Sequence, residues 1–499
     1  MERAREPSVP VMSQVARDRE WRGAAMLAAS GGSFSQRRLL SAVFWRELRE
    51  LGGGLRFRAG LLLIVGLMAS SALINAVRYR AEIRIAFDLR DEYAMALASQ
   101  PVAALAAIPH PAVKPPWKLA FLVEGGQPGG INVYRQPLNP WYEPELESWQ
   151  PGESLGSAEP LDWLFVIRVI LSLIACVLGY DAFCGARQRA LLKMVLSYPV
   201  ARWQVFLAKL AAIWTCLAGP FAIGGPVSLF ILVTYGGMRF SAAEWGKIAS
   251  VAVLGLWASA VFALLALAVS ALNRQAGRSL AILALVWVGA VVVIPAASGL
   301  AVHAMRPLKA DSEVTRQLAE IRRKIERDGP GTWRSEELAR QDGYAKERQA
   351  ADTQNQRYRS QERLRRDLIL RQLDQVERAR RLASISPMAL IQDSAERLVG
   401  SGPYRDRSFF LQAWLWREEL AARVRALDVA DPESPHVFFI EAYMSEQGFD
   451  AAAVPRFDFR EAGLEDGLRR SLPLLLGLAL ATVALAVTVW LLFARFDVG

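Results

Sequence analysis

The sequence predicts an all-α polytopic membrane protein, with six transmembrane helices, a helical extracytoplasmic domain and a smaller irregular extracytoplasmic loop. Three observations predict this fold. Hydrophobic residues make up 53% of the 499 residues. They concentrate in runs longer than about 18 residues, which is enough to cross a hydrocarbon core of roughly 30 Å. Lys and Arg gather in short segments between alternate runs, as expected for one side of a membrane.

The apolar runs give the predicted spans directly. An even number of spans places both chain termini on the same side of the membrane. The spans are predicted at residues 59–77, 161–180, 205–235, 248–270, 279–303 and 471–494.

The distribution of charge predicts the orientation. Residues 1–58 hold eleven Arg against six acids, residues 181–209 hold five basic residues against Asp181, and residues 271–279 hold two Arg. These segments are predicted to be cytoplasmic, together with both termini. They account for the formal net charge of +10, so the basic balance reports topology and not nucleic-acid binding. The predicted location is the plasma membrane, as a bacterial cytoplasmic or inner membrane, with lipid as a partner.

The segment before the first span predicts a helix in the membrane interface. Leu40, Val43, Phe44 and Leu48 share one side of a helix, while Arg46, Glu47, Arg49 and Glu50 lie mostly on the other. This pattern is typical of an amphipathic interfacial helix within a cytoplasmic N-terminus, residues 1–58. An ordinary helix leading into the first span makes nearly the same prediction. No cleavable signal peptide is apparent in these residues.

Two long segments are predicted outside the membrane. Residues 78–160 contain QPLNPWYEPELESWQPGESL, whose Pro and Gly argue against long helices. Residues 304–470 show apolar residues at helical spacing, a break at Gly329-Pro330-Gly331, and a second, very polar helical segment to about Leu382. We expect these to form a helical hairpin that projects into solvent, with a disordered charged linker as the alternative.

The rest of this domain is also predicted to be helical. Ser386-Pro387 has the composition of an N-cap and first helical position, and the helix it opens is expected to end near Gly400. Another helix is expected over about 405–428.

The sequence contains no recognisable catalytic signature. The P-loop, HExxH, GxSxG and GxGxxG motifs are absent, and the His and Cys residues are too scattered to suggest a metal site. We therefore predict a protein that is not an enzyme, with no catalytic residue, no metal site and no cofactor bound by this chain.

The segment 180–212, YDAFCGARQRALLKMVLSYPVARWQVFLAKLAA, is the most informative. Leu191, Leu192, Val195 and Leu196 share one side of a short helix that is broken at Tyr198-Pro199. Pro199 lacks an amide donor and disfavours helix at the preceding residue. The segment 181–204 is therefore predicted to form a rigid cytoplasmic elbow between the second and third spans.

This elbow resembles that of type-2 ABC transporter permeases, in the branch associated with multicopper-enzyme maturation. SISPMALIQDSAERLVGSG and AVPRFDF are similar to the subgroup with an extra domain of unknown function between the fifth and sixth spans. The elbow positions that match the branch are Asp181, Gly185, Leu191, Leu196, Ser197, Pro199, Val200, Arg202 and Lys209.

The resemblance implies a function for the elbow. Residues of about 186–203 would form a coupling helix that docks on a separate ABC ATPase subunit, which would bind ATP and Mg in place of this chain. The permease would work as a homodimer or as a heterodimer with a second permease. Type-2 relatives are mostly exporters, so export is the expected direction.

Four residues inside the predicted spans are candidates for the translocation path or an interface. Arg168 is a charged residue well inside the second span, where a charge is costly. Snorkelling to headgroups or pairing with Asp162 are the simpler interpretations. Pro220, Pro226 and Pro295 allow kinks or a broken helix, with simple bending as the alternative.

Three functions compete at this point. The first is an ATP-driven permease, which the six-span plan supports. The second is a mechanical transmitter, in which the 304–470 domain couples ATP hydrolysis to an extracytoplasmic envelope partner. The third, a membrane-anchored scaffold, leaves the elbow unexplained.

Overall fold

The computed structural model confirms an all-α polytopic fold, because it contains six helices long and apolar enough to cross a membrane. These helices run from 26 to 43 residues and overlap the six predicted apolar stretches. The structure describes residues 36–98, 100–124, 132–147, 160–188, 201–305, 313, 316–321, 323, 336–341 and 343–494.

The helices are named in chain order. Before the third span they are α1 (Gln36–Gly52), α2 (Leu55–Leu97), α3 (Ala104–Ala107), α4 (Trp163–Phe165 continued by Val166–Leu171 and Ser172–Gly179) and α5 (Cys184–Gln188). Those that follow are α6 (Arg202–Thr234), α7 (Ala242–Leu272), α8 (Ala276–Met305), α9 (Glu336–Gln341), α10 (Ala345–Ala383), α11 (Pro387–Val399), α12 (Pro403–Val429) and α13 (Leu464–Ala494).

The six spans are α2, α4, α6, α7, α8 and α13, and they alternate in direction between two ends of a bundle. We call the end that carries α1, Tyr180 and Ala494 the proximal end. The other, the distal end, carries the described residues between positions 98 and 162 and between positions 336 and 463. The Ser241–Glu244 capping box starts α7 at the distal end, where each side chain accepts a hydrogen bond from the other residue's amide (3.3 and 2.6 Å).

The first span is much longer than predicted. Helix α2 continues through residues 78–97, so the expectation of no long helix after residue 77 is wrong for this part. The Pro and Gly residues behind that expectation lie further along the chain, and RYRAEIRIAFDLRDEYAMAL contains neither. Arg78 also pairs with Glu82 one turn later, at 3.2 Å. The helix therefore extends about 30 Å beyond the predicted span.

The described part of the remaining loop contains a small sheet that the sequence analysis did not predict. Strands β1 (His110–Val113), β2 (Val133–Gln136) and β3 (Glu145–Glu147) are antiparallel in the order β1-β2-β3. Tyr134 on β2 lies edge-on to Phe410 of α12, with 5.9 Å between ring centroids. The sheet is therefore part of the distal domain and shares its core.

Helix α10 lies against this domain and does not project into solvent as expected. The Tyr134 hydroxyl donates to Glu362 at 2.6 Å, and Arg365 pairs with Glu143 at 2.6 Å. Tyr358, near the middle of the helix, is buried. The helix is packed through polar contacts, which its polar sequence does not distinguish from a solvated face. The other predicted arm lies mostly outside the described residues.

Helix α11 starts and ends as predicted. Ser386 accepts a hydrogen bond from the Met388 amide and Pro387 opens the helix. Gly400 closes it with φ of 77°, a left-handed conformation that suits glycine. Its apolar face, which includes Ile391 and Leu398, belongs to the same hydrophobic core as the spans. This helix is therefore integrated into the bundle and not only into the distal domain.

Two glycines allow α4 and α7 to approach closely. A Cβ on Gly179 would lie 2.6 Å from the Cβ of Ala266, and one on Gly255 would lie 2.7 Å from Cδ1 of Ile167. Small residues at such contacts are typical of packed helices in membranes. These contacts also fix the relative height of α4 and α7 along the bundle.

Candidate coupling site at the proximal end

The structure places four of the predicted elbow residues at the proximal end of the bundle. Asp181 and Gly185 follow the second span, and Arg202 and Lys209 lie in the first turns of α6. The other predicted positions lie outside the described residues: Leu191, Leu196, Ser197, Pro199 and Val200.

A cavity of about 460 Å³ opens between α1, the start of α2, the end of α4 and the start of α6. Its walls carry both signs of charge, with apolar residues between them. The charged residues that line it are Arg46, Glu47, Glu50, Arg56, Asp181 and Lys209. Two of the predicted elbow residues therefore line a single cavity, although they are separated by most of the elbow in sequence.

Asp181 pairs across this cavity with Arg56, at the start of the first span. The distance from Arg56 Nη1 to Asp181 Oδ2 is 3.2 Å. Arg56 Nη2 also donates to the Tyr180 hydroxyl at 2.7 Å, and its guanidinium lies 4.9 Å from the centroid of the Tyr180 ring. Sequence analysis did not single out Arg56. Its position just before the apolar run, among basic residues, gave no sign of a specific acidic partner.

Lys209 forms the most enclosed ion pair of the site. Its Nζ lies 2.8 Å from Glu47 Oε2 on α1, and the two side chains are 8% and 15% exposed. The pair therefore fixes α1 to α6. Glu47 was expected on the polar face of α1, but it follows the buried Val43 by four residues and so lies on the packed face. That spacing was the signal in the sequence.

Arg202 connects the start of α6 to the end of the last span. Its Nη1 donates to the carbonyl of Ala494 at 2.6 Å. A cation at this position complements the negative end of the helix dipole of α13. The elbow is therefore fixed to the last span as well as to the first.

Gly185 is buried in the first turn of α5, just after the turn that connects α4 to α5. Its amide donates to the carbonyl of Asp181 at 2.9 Å. The preceding amides of Phe183 and Cys184 donate to the Ser270 hydroxyl on α7, at 3.0 and 3.3 Å. The start of the elbow is thus held by the fourth span.

The four candidate path residues lie on three different spans. Arg168 lies in the π-helical part of α4, and its Nη1 donates to Oε1 of Gln392 on α11 at 2.9 Å. Pro220 and Pro226 lie inside α6, where the first is buried and the second exposed. Pro295 follows the π-helical segment Gly289–Val293 of α8. A proline here removes the amide that would continue the α-helical ladder, which favours the wider turn before it.

Within the described residues, no group of three or more His, Cys, Asp or Glu side chains is arranged to hold a metal ion. Two ion pairs of the cavity, Arg56–Asp181 and Lys209–Glu47, join different helices. Such pairs can transmit force between helices.

Six long apolar helices, with a charged cavity where the first three of them meet α1 at the proximal end, define a multi-pass membrane protein. The model of the ABC-2 family transporter protein family matches residues 42–498, and the chain belongs to this family. It is therefore the membrane permease subunit of an ABC transporter, and its family implies an ABC ATPase as partner. Members of this family have no ATPase domain of their own. Among curated proteins, none matches the chain significantly.

Proposed function

We propose that this permease exports its substrate and receives the force for transport through the elbow at residues 181–204. The observation that carries the proposal is the convergence of Asp181 and Lys209 on one charged cavity, since Asp181 begins that segment and Lys209 lies just beyond its end. Both residues pair with helices that lie outside the elbow, so a push on the elbow reaches α1 and α2 as well as α4 and α6.

The proposed mechanism is a rigid-body movement. Closure of two ATPase subunits around ATP and Mg would displace the elbow, and the spans on either side would tilt with it. The contacts Arg56–Asp181, Lys209–Glu47 and Arg202 to Ala494 would make the first, third and last spans move with the second. The translocation path would then open at a dimer interface, with itself or with a second permease.

The orientation follows from the charge of the loops. The described parts of the basic segments lie at the proximal end, so we propose that this end is cytoplasmic together with both termini, and that the distal domain is outside. The membrane would be a bacterial inner membrane, with α1 in its interface. We also assign the chain to the multicopper-enzyme-maturation-like branch, in the subgroup with an extra domain between the last two spans.

Association with the cognate ATPase tests this proposal. Pro199→Gly should lower both co-purification with the ATPase and ATP-driven transport, because the elbow loses its rigid turn. Pro432→Gly is the matched control, since this proline is exposed in a turn of the distal domain. Both variants should insert into the membrane normally. Normal association and activity of Pro199→Gly would contradict the proposal.

A second candidate is the mechanical transmitter, in which no substrate crosses. It is favoured by the hydrogen bond from Arg168 to Gln392, because this contact joins a span that begins the elbow to the distal domain. ATP-dependent uptake of any substrate into inverted vesicles would support the permease. If ATP changes the protease sensitivity of the distal domain while no candidate substrate is taken up, the transmitter is favoured.

A further inference from the structure

A small pocket lies in the distal domain, between the loop that joins β2 to β3 and the middle of α10. Trp141 and Tyr142 line it on the loop side, and Tyr358, Gln361 and Glu362 line it on the helix side. Its volume is about 30 Å³, which is room for about two water-sized groups. The pocket can therefore take the end of a side group but not a whole molecule.

Two residues on the helix side carry buried polar atoms. The Tyr358 hydroxyl and Glu362 Oε2 have no hydrogen-bond partner within the part of the chain that the structure describes. The other oxygen of Glu362, Oε1, accepts from the Tyr134 hydroxyl at 2.6 Å and from Trp414 Nε1 at 3.0 Å, so the carboxylate is held in place. Tyr358 is 5% exposed, and burial raises its pKa to about 12, so this hydroxyl keeps its proton. Because a buried polar atom without a partner is costly, a ligand group that supplies both contacts would be favoured.

The loop side of the pocket presents two aromatic rings to solvent. Trp141 is 48% exposed and Tyr142 is 53% exposed. The Trp141 amide donates to Asn139 Oδ1 at 2.9 Å, and the Tyr142 amide donates to the Asn139 carbonyl at 3.2 Å. Asn139 is itself buried, so the backbone of the loop is fixed while the rings stay uncovered. Flat apolar surfaces therefore lie beside a polar pocket.

The pocket lies well outside the membrane. Tyr93, on the part of α2 about 24 Å beyond the predicted first span, is hydrogen-bonded to His110 of β1 at 2.6 Å. His110 pairs with Gln136 of β2, whose side chain donates to the Ala413 carbonyl on α12 at 3.1 Å. The next residue, Trp414, is the one that binds Glu362. The exposed rings are therefore not part of a membrane interface, and lipid is not their partner.

Charges of both signs surround the pocket and select a neutral ligand group. The Arg417 guanidinium stacks over the Tyr358 ring, 4.4 Å from its centroid, and Arg365 pairs with Glu143 at 2.6 Å. An ammonium group would meet these guanidinium groups, and a carboxylate or phosphate would meet the Glu362 carboxylate. A hydroxyl group avoids both, since it can donate to Glu362 Oε2 and accept from the Tyr358 hydroxyl at the same time.

We propose that this pocket binds a neutral saccharide, with a hydroxymethyl arm in the pocket and the sugar ring against Trp141 and Tyr142. A hydroxymethyl group has the size of about two water-sized groups, which matches the volume of the pocket. The C–H face of a pyranose ring is apolar and suits an aromatic surface beside a few placed polar groups. Gln361 adds an amide that both donates to and accepts from ring hydroxyls. The proposal does not depend on the direction of transport or on coupling to the ATPase.

Saturation-transfer NMR on the full-length chain in lipid nanodiscs tests the proposal. Free glucose, galactose and mannose are the probes, and sugar-based detergents are left out because their headgroups would compete. Trp141→Ala removes one ring from the loop, and Tyr142→Ala serves as a second variant if the first does not fold. Phe87→Ala is the matched control, since Phe87 is a 59% exposed aromatic residue in the distal part of α2, outside the pocket.

We expect at least one of the three sugars to bind. Its affinity should fall at least about tenfold in Trp141→Ala, because the ring loses its apolar contact, and should stay unchanged in Phe87→Ala. The 6-deoxy form of the same sugar should bind at least about tenfold more weakly to the parent chain, because the buried atoms of Tyr358 and Glu362 would stay without a partner.

Four results would overturn the proposal. The first is the absence of a signal from all three sugars. The second is binding that survives both Trp141→Ala and Tyr142→Ala, which would place the sugar elsewhere. The third is equal binding of the 6-deoxy form, which would exclude a hydroxymethyl group from the pocket. The fourth is tighter binding of glucosamine, of glucuronate or of the peptide acetyl-Pro-Ser-Pro-amide, which would assign a charged ligand or a polypeptide instead. None of these results bears on whether the elbow binds an ATPase.

Discussion

The ion pair between Lys209 and Glu47 allows a quantitative test of how α1 is held to the bundle. The two side chains are 2.8 Å apart and largely buried, at 8% and 15% exposure. Removal of one partner from a buried pair costs about 3–5 kcal/mol, since the other charge remains buried without compensation. Because this pair lies at the margin of a cavity, we take the lower value, about 3 kcal/mol. Lys209→Met should therefore weaken the docking of α1 by this amount.

Local opening of α1 provides the assay. Val43 is buried on the face of α1 that packs against the bundle, so a Val43→Cys reporter reacts with a thiol reagent only when the helix detaches. A change of about 3 kcal/mol corresponds to a rise in the labelling rate of about 100-fold, at about 1.4 kcal/mol per tenfold. The double variant Lys209→Met with Glu47→Leu should restore most of the protection, because an apolar pair replaces the ion pair.

The control for this experiment is Arg49→Met, which removes an exposed charge from the same helix and should leave labelling unchanged. Equal labelling of Lys209→Met and the parent would refute the reasoning. So would a double variant that labels as fast as the single one, since the loss would then come from packing and not from an uncompensated charge.

Three further predictions concern the fold. Gly179→Ala should destabilise the purified chain by about 1–3 kcal/mol, because the new methyl group would clash with the Cβ of Ala266. Gly255→Ala should destabilise it less, because its new methyl group meets the end of the flexible Ile167 side chain. Denaturation midpoints in mixed micelles would rank the two variants, and equal midpoints would contradict the packing argument. Burial lowers the pKa of His110 from 6.5 to about 4, so the unfolded chain alone binds this proton between those values and stability falls by about 3 kcal/mol as pH drops through that window. His110→Gln should show a flatter dependence of melting temperature on pH, and an unchanged slope would assign the pH effect to other groups. Asp428→Asn should loosen the segment 430–448 and increase its rate of proteolysis, because the buried carboxylate accepts hydrogen bonds from Ser434, Ser445 and His436. The control Asp450→Asn changes an exposed helix cap and should be cleaved at the same rate as the parent protein.

The parts of the fold that sequence predicts well are those set by local composition. The six spans follow from long apolar runs, since no other arrangement satisfies both the side chains and the backbone in a bilayer. The start of α11 follows from the capping chemistry of Ser386 and the fixed φ of Pro387. Its end follows from the left-handed preference of glycine at position 400.

The parts that sequence does not predict depend on contacts between distant residues. Helix α10 has the polar composition of a solvated arm, but Glu362 and Arg365 are matched to Tyr134 and Glu143, more than 200 positions away. The partner of Arg168 is similarly distant, at Gln392. Periodicity cannot reveal such pairs, because it describes a helix face and not what lies opposite.

For the candidate coupling site, sequence identified residues but not their partners. Asp181 and Lys209 were found through resemblance, whereas Arg56 and Glu47 emerge only from the packing of α1 and α2 on α4 and α6. The middle of the elbow, including Ser197 and Pro199, lies outside the described residues, so its role stays a prediction. Docking of this segment on an ATPase depends on a surface that another chain supplies.

The π-helical segments of α4 and α8 determine the rotational phase of these two spans. A π turn holds about one residue more than an α turn, so loss of a single residue within Val166–Leu171 would restore the α-helical ladder and rotate the distal end by about 100°. Trp163, whose indole donates to Ser228 of α6 at 3.0 Å, would then point away from its partner, although the span would still be long and apolar enough to cross the membrane. The number of residues in this span is therefore fixed by its side-chain contacts. The thickness of the hydrocarbon core alone would tolerate one residue more or fewer.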